Sequence, residues 1–218
     1  MLSNPLKSSQ IFSHCGSATQ HFSCGVHLAG VLDFILDEDW DGIDAFLDHF
    51  QQTCLSLKHA PIPVVAAPSG LSLGGGFEVV LHSDKVIYHA NSVTGLVETL
   101  VGVVPGGSGV KEMLHRWNDR VGDVTKAAWQ AFMNIGYGKT ARSPLEAEPL
   151  AMYREGVDDY VMNRDRLLQS AIDTVVAMSA NYRSTVDYGI GGAFGGGLQR
   201  VVALIAAQMP TRLYYVTY

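Results

Sequence analysis

Charged side chains are sparse in this chain. Asp, Glu, Lys and Arg make up 17% of 218 residues, against a hydrophobic share of 47%. A composition this apolar buries a core and excludes intrinsic disorder over most of the length. Positive charge is scarcer still: 15 Lys and Arg face 21 Asp and Glu, for a formal net charge of −6. That balance excludes a general binder of nucleic acid or anionic lipid, while leaving room for one anionic ligand in a local basic patch. Long apolar runs are missing; the longest falls far short of the roughly 18 residues that a membrane span needs. Cysteine is rare. Cys15, Cys24 and Cys54 are odd in number and lack metal-type spacing, so they read as reduced thiols. Met1 to Gln20 has no apolar segment of the secretory kind. A cytoplasmic location is expected, with an organelle matrix as the alternative. The length fits one domain.

The texture changes along the chain. Residues 1–21 are polar and Ser-rich and read as a weakly structured arm. A glycine then interrupts the short apolar stretch Phe22-Ser-Cys-Gly-Val-His-Leu28, and a helical pattern follows. Between Asp39 and Lys58 apolar residues recur at steps of three and four, including Ile43, Phe46, Leu47, Phe50 and Cys54. This predicts an amphipathic helix with Asp39 as its N-cap. Pro61 to Ala67 predicts a strand buried on both faces, and Lys85 to Tyr88 another. Between them a Pro68-Ser-Gly70 turn and the cluster Gly74-Gly-Gly76 lead into a helix over Phe77–His82. Strand, glycine loop, helix and strand in that order imply α/β layers. Further helices are predicted from the Pro105-to-Gly109 turn through Trp117, over Val124–Ile135 and over Val161–Met178. Ser143 to Pro149 reads as a linker-like break, and Gly189 to Gly197 as a flexible joint. The domain reading is an arm at 1–21, a core at 22–142 and a C-terminal helical region at 143–218.

Three features carry chemistry. A triple glycine at a helix start removes every Cβ that would block a ligand and leaves N–H groups facing outward at the positive helix end. Such groups bind an oxyanion, and two of them from separate segments polarise one carbonyl oxygen. Glu78 falls on the first turn after the glycines, beside the apolar Phe77, Val79 and Val80. Glu98 follows Gly95 in a second apolar segment.

Together these segments resemble the crotonase (enoyl-CoA hydratase/isomerase) superfamily, from about Phe22 to Trp117 and more weakly on to Met178. Phe22 to Leu28 is similar to the family's first oxyanion-hole motif. Val64-Val-Ala-Ala-Pro-Ser-Gly-Leu-Ser-Leu-Gly-Gly-Gly-Phe-Glu78 is similar to the second, and Gly95 to Gly109 to the segment bearing the second acid. The resemblance implies an α/β fold with a crotonase-like ββα spiral core, shortened at its N-terminal side, followed by C-terminal helices. It implies that the N–H groups of Val26 and Gly75 form the hole for a thioester carbonyl. Glu78 and Glu98 fall at the two catalytic acid positions of hydratases. Cys24, Gly25, Leu28, Gly74, Gly76, Pro105 and Gly106 fall at substrate-binding positions.

Possession of both acids favours hydration of a trans-2-enoyl-CoA to a 3-hydroxyacyl-CoA, as in fatty-acid β-oxidation. Two carboxyls in an apolar pocket push their pKa values apart and take complementary roles. The alternatives are enoyl-CoA isomerisation and an inactive acyl-CoA-binding or assembly subunit. No metal or redox cofactor is expected, because CoA is part of the substrate. Family relatives form trimers or hexamers, so a homo-oligomer is the expected state. The wording of Gly95 to Trp117 and of Val161 to Leu168 resembles hydratase parts of bifunctional 3-hydroxyacyl-CoA dehydrogenase/enoyl-CoA hydratase proteins. A dehydrogenase partner is therefore an expectation too.

Other features have plainer readings. Only 21 residues precede Phe22 where the family carries strands, so an exposed sheet edge is expected. His27 stands where the family usually has Asp or Asn. His27, His82, His89 and His115 show no metal-ligand spacing and read as ordinary surface or core histidines. Gly106, Gly107 and Gly109 read as a turn entering a helix in preference to a phosphate cradle. Asn163 to Arg166 reads as a capped, solvated helix start.

Overall fold

Two small parallel sheets organise the chain, which the computed structural model describes over residues 20–183. Cys15, the arm up to residue 19 and the Gly189–Gly197 joint lie outside the described residues. Strands β1 (Val65–Ala66), β3 (Lys85–His89) and β5 (Asp159–Val161) form one sheet in the order β1-β3-β5. Strands β2 (Leu71–Leu73) and β4 (Val93–Gly95) form the other, with Ser72 opposite Thr94. Ser23 extends that second sheet by bridging Ser72, and Ala141 extends it on the far side by bridging Thr94.

Helices fill the remaining space. They are α1 (Leu28–Leu36), α2 (Trp40–Lys58), α3 (Gly75–Leu81), α4 (Gly109–Val121), α5 (Val124–Ile135), α6 (Pro144–Ala147) and α7 (Leu167–Ser179). Helix α2 starts where the sequence predicts, with the Asp39 carboxylate accepting from Gly42 N–H at 3.0 Å. Asp123 caps α5 in the same way, accepting from Thr125 and Lys126. Each such cap is worth ~1 kcal/mol. None of the described helices is long and apolar enough to cross a membrane.

The core lies where α3, α4 and α5 meet the strands. Phe77, Val80, Met113 and Ala131 have no exposed surface, and Tyr88, Leu114 and Ile135 have almost none. Burying each large apolar side chain is worth about 1.5–3 kcal/mol. Several polar groups trapped in this core are paired. The Arg116 guanidinium donates to the Met152 and Leu81 carbonyls, and Tyr88 Oη donates to the Met152 carbonyl. Asp158 accepts from Val86 N–H and pairs with Arg154, which ties β3 to the segment before β5.

Several local expectations change. The Pro61–Ala67 run enters the ladder only at Val65–Ala66. Strands β2 and β4 are three residues each, too short for alternation to register in sequence. Ser143 to Pro149 is not a linker. Ser143 Oγ accepts from Glu146 N–H, Pro144 occupies the first turn, and a short helix forms with Ala147 buried. That is a Ser-x-x-Glu start, a signal present in the sequence. Val161 belongs to β5, paired with His89, and α7 begins six residues later after a turn capped by Asn163.

Candidate active site

The second sheet places both glycine motifs against each other. Ser23 N–H donates to the Leu71 carbonyl and Leu73 N–H donates back to the Ser23 carbonyl. This zipper lays Ser23 to Val26 along the start of α3. Gly25 adopts φ +89°, which disfavours any side chain, and a Cβ there would lie 3.1 Å from Gly75 N. A Cβ on Gly76 would strike Ser23 at 2.5 Å, and one on Gly75 would lie 3.5 Å from Val26 Cγ2. The two segments expected to supply main-chain donors are thus in direct contact. Glycine is required at the junction because the backbones approach more closely than side chains allow.

Glu78 sits on the first turn of α3 and is 1% exposed. Its Oε1 accepts two hydrogen bonds from the glycine turn before α4, from Gly107 N–H at 2.8 Å and Gly109 N–H at 2.7 Å. The turn aims both groups at one oxygen because Ser108 between them adopts φ +75°. Burial pushes the Glu78 carboxyl up to about 7, and the two N–H groups pull against that shift by favouring the charged form.

Glu98 lies at the start of a single 3₁₀ turn, Glu98–Val101, just after β4. Its carboxyl approaches the other end of the glycine cluster: a Cβ on Gly74 would lie 3.4 Å from Glu98 Oε1. The residue is half-buried, yet both carboxyl oxygens are sealed from solvent and have no hydrogen-bond partner. Its pKa rises well above the usual carboxylate range, first through burial and second through the Glu78 charge. The structure therefore unites Glu78, Glu98, Gly74, Gly75, Gly76, Gly25 and Val26. Gly106 and the buried Pro105 belong to the turn that holds Glu78. Cys24 is exposed, and Leu28 is 53% exposed on the first residue of α1.

Helix α2 covers this group. Phe50, 2% exposed, packs between Gly75 and Gly107, and Gln51 Nε2 donates to the Gly106 carbonyl at 2.8 Å. Cys54, one turn on, is fully buried, and its thiol is pushed up to about 12 by burial and then by the nearby Glu78 and Glu112 charges. It is a protonated filler of the core. Behind α3, Glu112 pairs with Lys58 and faces His82, with 3.7 Å between His82 Nε2 and Glu112 Oε1. Burial lowers His82 to about 4, so the ring is neutral and its Nδ1–H donates to the Glu78 carbonyl at 2.7 Å. The contributions of Phe50, Gln51, Gly107 and Gly109 escaped the sequence reading. A helix inner face and a helix-entry turn look the same whether or not a carboxyl lies beneath them.

Glycine-lined backbone junctions beside a sealed carboxyl pair, set on strand–turn–helix units, define a crotonase-type fold. Solved enoyl-CoA hydratases share it. That of Bacillus anthracis superposes with a TM-score of 0.55 at 23% identity, covering 75% of this chain and 60% of that one. That of Thermoplasma volcanium gives 0.58 at 19%, covering 87% and 71%. The enoyl-CoA hydratase/isomerase family profile matches residues 16–184, and the chain belongs to that family. A probable 3-hydroxyacyl-CoA dehydrogenase of Bacillus subtilis is 35% identical over 156 residues, 72% of this chain and 20% of that protein. The mitochondrial methylglutaconyl-CoA hydratase of Mus musculus is 32% identical over 71 residues, 33% of this chain and 23% of that protein. This chain spans about a fifth of the length of these two relatives.

Proposed function

We propose that this chain adds water across a trans-2-enoyl-CoA to give a 3-hydroxyacyl-CoA. One observation carries the reading: two buried carboxyls flank one glycine cluster, and their surroundings differ. Glu78 has two N–H donors on one oxygen, which stabilise the ionised form. Glu98 has sealed oxygens, and burial with the Glu78 charge outweighs the pull of its own and the Val97 N–H groups, which favours the protonated form. The pair shares its titration, so the roles describe the dominant arrangement of protons.

The thioester oxygen accepts from the N–H groups of Val26 and Gly75. That interaction draws charge from the double bond and stabilises the enolate that develops on attack; one such donor is worth a factor of ~100–1,000 in turnover. Glu78 takes a proton from the attacking water as its oxygen bonds to the β-carbon. Glu98 delivers its proton to the α-carbon, and the double bond becomes single. Gly25, Gly74, Gly76, Pro105 and Gly106 shape the backbone floor on which the acyl group rests, with Cys24 and Leu28 at its outer margin. The reaction leaves the total oxidation level unchanged and calls for no metal or redox cofactor. Its 3-hydroxyacyl product is the substrate of a 3-hydroxyacyl-CoA dehydrogenase, which makes such an enzyme the fitting partner. A homo-oligomer working in a cytoplasmic or organelle-matrix setting completes the proposal.

The test is conversion of crotonyl-CoA, followed by loss of the conjugated-thioester absorbance and by product mass. A gain of one water is expected. A rearranged product of unchanged mass points to isomerisation, and binding without turnover points to an acyl-CoA-binding subunit; either overturns the proposal. Glu98→Gln should lower kcat by ~100-fold or more while butyryl-CoA affinity stays within about threefold. Equal loss of both would remove Glu98 from the chemistry.

A further inference from the structure

Helix α2 presents one inner stripe to the site, built from Leu47, Phe50, Gln51 and Cys54 at steps of three and four. Phe50 lies at its centre. A Cβ on Gly75 would meet Phe50 Cζ at 3.2 Å. A Cβ on Gly107 would meet Phe50 Cε1 at 2.4 Å and Glu78 Oε2 at 2.9 Å. The ring therefore spans from the backbone of Gly75 to the neighbourhood of the Glu78 carboxyl. On the hydration reading, those are the thioester end and the β-carbon end of the acyl group. Leu47 continues the wall, with Cδ2 2.6 Å from a Cβ on Gly106.

This wall is held in place. Gln51 Nε2 donates to the Gly106 carbonyl, Phe46 stacks beside Phe50 at 6.5 Å between ring centres, and Lys58 pairs with the buried Glu112 at the end of the helix. A methyl group on the β-carbon needs little space beside such a ring. Each further methylene growing toward α2 must displace packed aromatic surface, and interiors at crystal-like density resist that.

We propose that Phe50, backed by Leu47, is the specificity-determining wall that restricts this chain to short-chain 2-enoyl-CoA thioesters. The inference rests on the hydration reading for the placement of the acyl group. Its experiment separates the two ideas, because length preference is read by binding as well as by turnover. The protein and its Phe50→Ala variant are titrated calorimetrically with butyryl-CoA and octanoyl-CoA, and assayed with crotonyl-CoA and trans-2-octenoyl-CoA.

The parent should favour the short member of each pair by about tenfold or more, the scale of methylene discrimination in an apolar pocket. Phe50→Ala should shrink that ratio to within about threefold in both readouts. A parent that takes both lengths equally, or a variant with the parent's ratio, overturns the role of Phe50. If crotonyl-CoA is not hydrated, the hydration reading fails, and the calorimetric ratio still decides the wall. If Phe50→Ala does not fold by circular dichroism, Phe50→Leu, which keeps most of the volume, decides by the same comparison. Its ratio should fall below the parent's, and an unchanged ratio overturns the proposal.

Discussion

Replacing Glu78 with Gln isolates what the buried carboxyl costs the native state. The substitution keeps the shape of the side chain and an acceptor oxygen. The N–H groups of Gly107 and Gly109, 2.8 and 2.7 Å from Oε1 in the parent, retain a partner. What disappears is the titration. Burial lifts the Glu78 carboxyl from 4.5 to about 7 in the folded chain. Between those values the native state holds a proton that the unfolded chain has released. Glu78 therefore contributes stability below pH 4.5, and that contribution is lost as pH rises through about 7.

At ~1.4 kcal/mol per tenfold change in proton affinity, the ionised side chain costs on the order of 3 kcal/mol at pH 8. Gln carries no such cost. The stability of Glu78→Gln relative to the parent should therefore grow by on the order of 3 kcal/mol from pH 4.5 to pH 8. For a chain of this length that is a melting-temperature gain of ~6–12 °C. Turnover of crotonyl-CoA should fall by ~100-fold or more, because an amide accepts no proton from water. Thermal melts at pH 5, 6, 7 and 8 read the difference directly. A melting-temperature difference that stays flat across that range would show that Glu78 does not titrate there, and the carboxyl-pair reasoning would be wrong. Because Glu98 feels the Glu78 charge, its replacement in the same chain should remove the remaining slope.

Two further outcomes follow from neighbouring geometry. Gly107→Ala forces a Cβ to within 2.4 Å of Phe50 Cε1, and Phe50 is too buried to retreat. A loss of about 1–3 kcal/mol in urea unfolding is expected, together with loss of turnover; parental stability would show that the turn yields freely. His82 is lowered by burial from 6.5 to about 4, so the unfolded chain binds the proton first, and stability falls as pH drops through that window. His82→Gln should lack that fall, worth on the order of 3 kcal/mol at most. Urea midpoints for parent and variant that differ equally at pH 4.5 and pH 7 would contradict it.

Much of the architecture is legible along the chain, because local chemistry specifies it. The three- and four-residue steps from Trp40 to Lys58 and the Asp39 cap appear as α2 with that cap. Gly74 to Gly76 opens α3 as expected, and Lys85 to Tyr88 is a strand. Asn163 caps the turn before α7. The pieces that escape are those whose identity depends on a partner distant in sequence. Leu71–Leu73 and Val93–Gly95 are strands only because they pair with each other, and Asp159–Val161 only because β3 offers an edge. Three residues carry too little periodicity to show it.

The sequence by itself determined the family, the order of the motifs and the presence of two acids in apolar segments. Spacing and residue type suffice for these, since they depend on neighbours along the chain. Tertiary structure alone decided how those acids differ. Glu78 meets the N–H groups of Gly107 and Gly109 across 29 and 31 residues, whereas Glu98 has beside it only its own N–H and that of Val97. It also decided that Phe50, indistinguishable in sequence from any residue on a helix inner face, stands against both glycine turns. The energy of a buried charge is set by the few groups that surround it in space, and folding assembles those groups from remote stretches of chain.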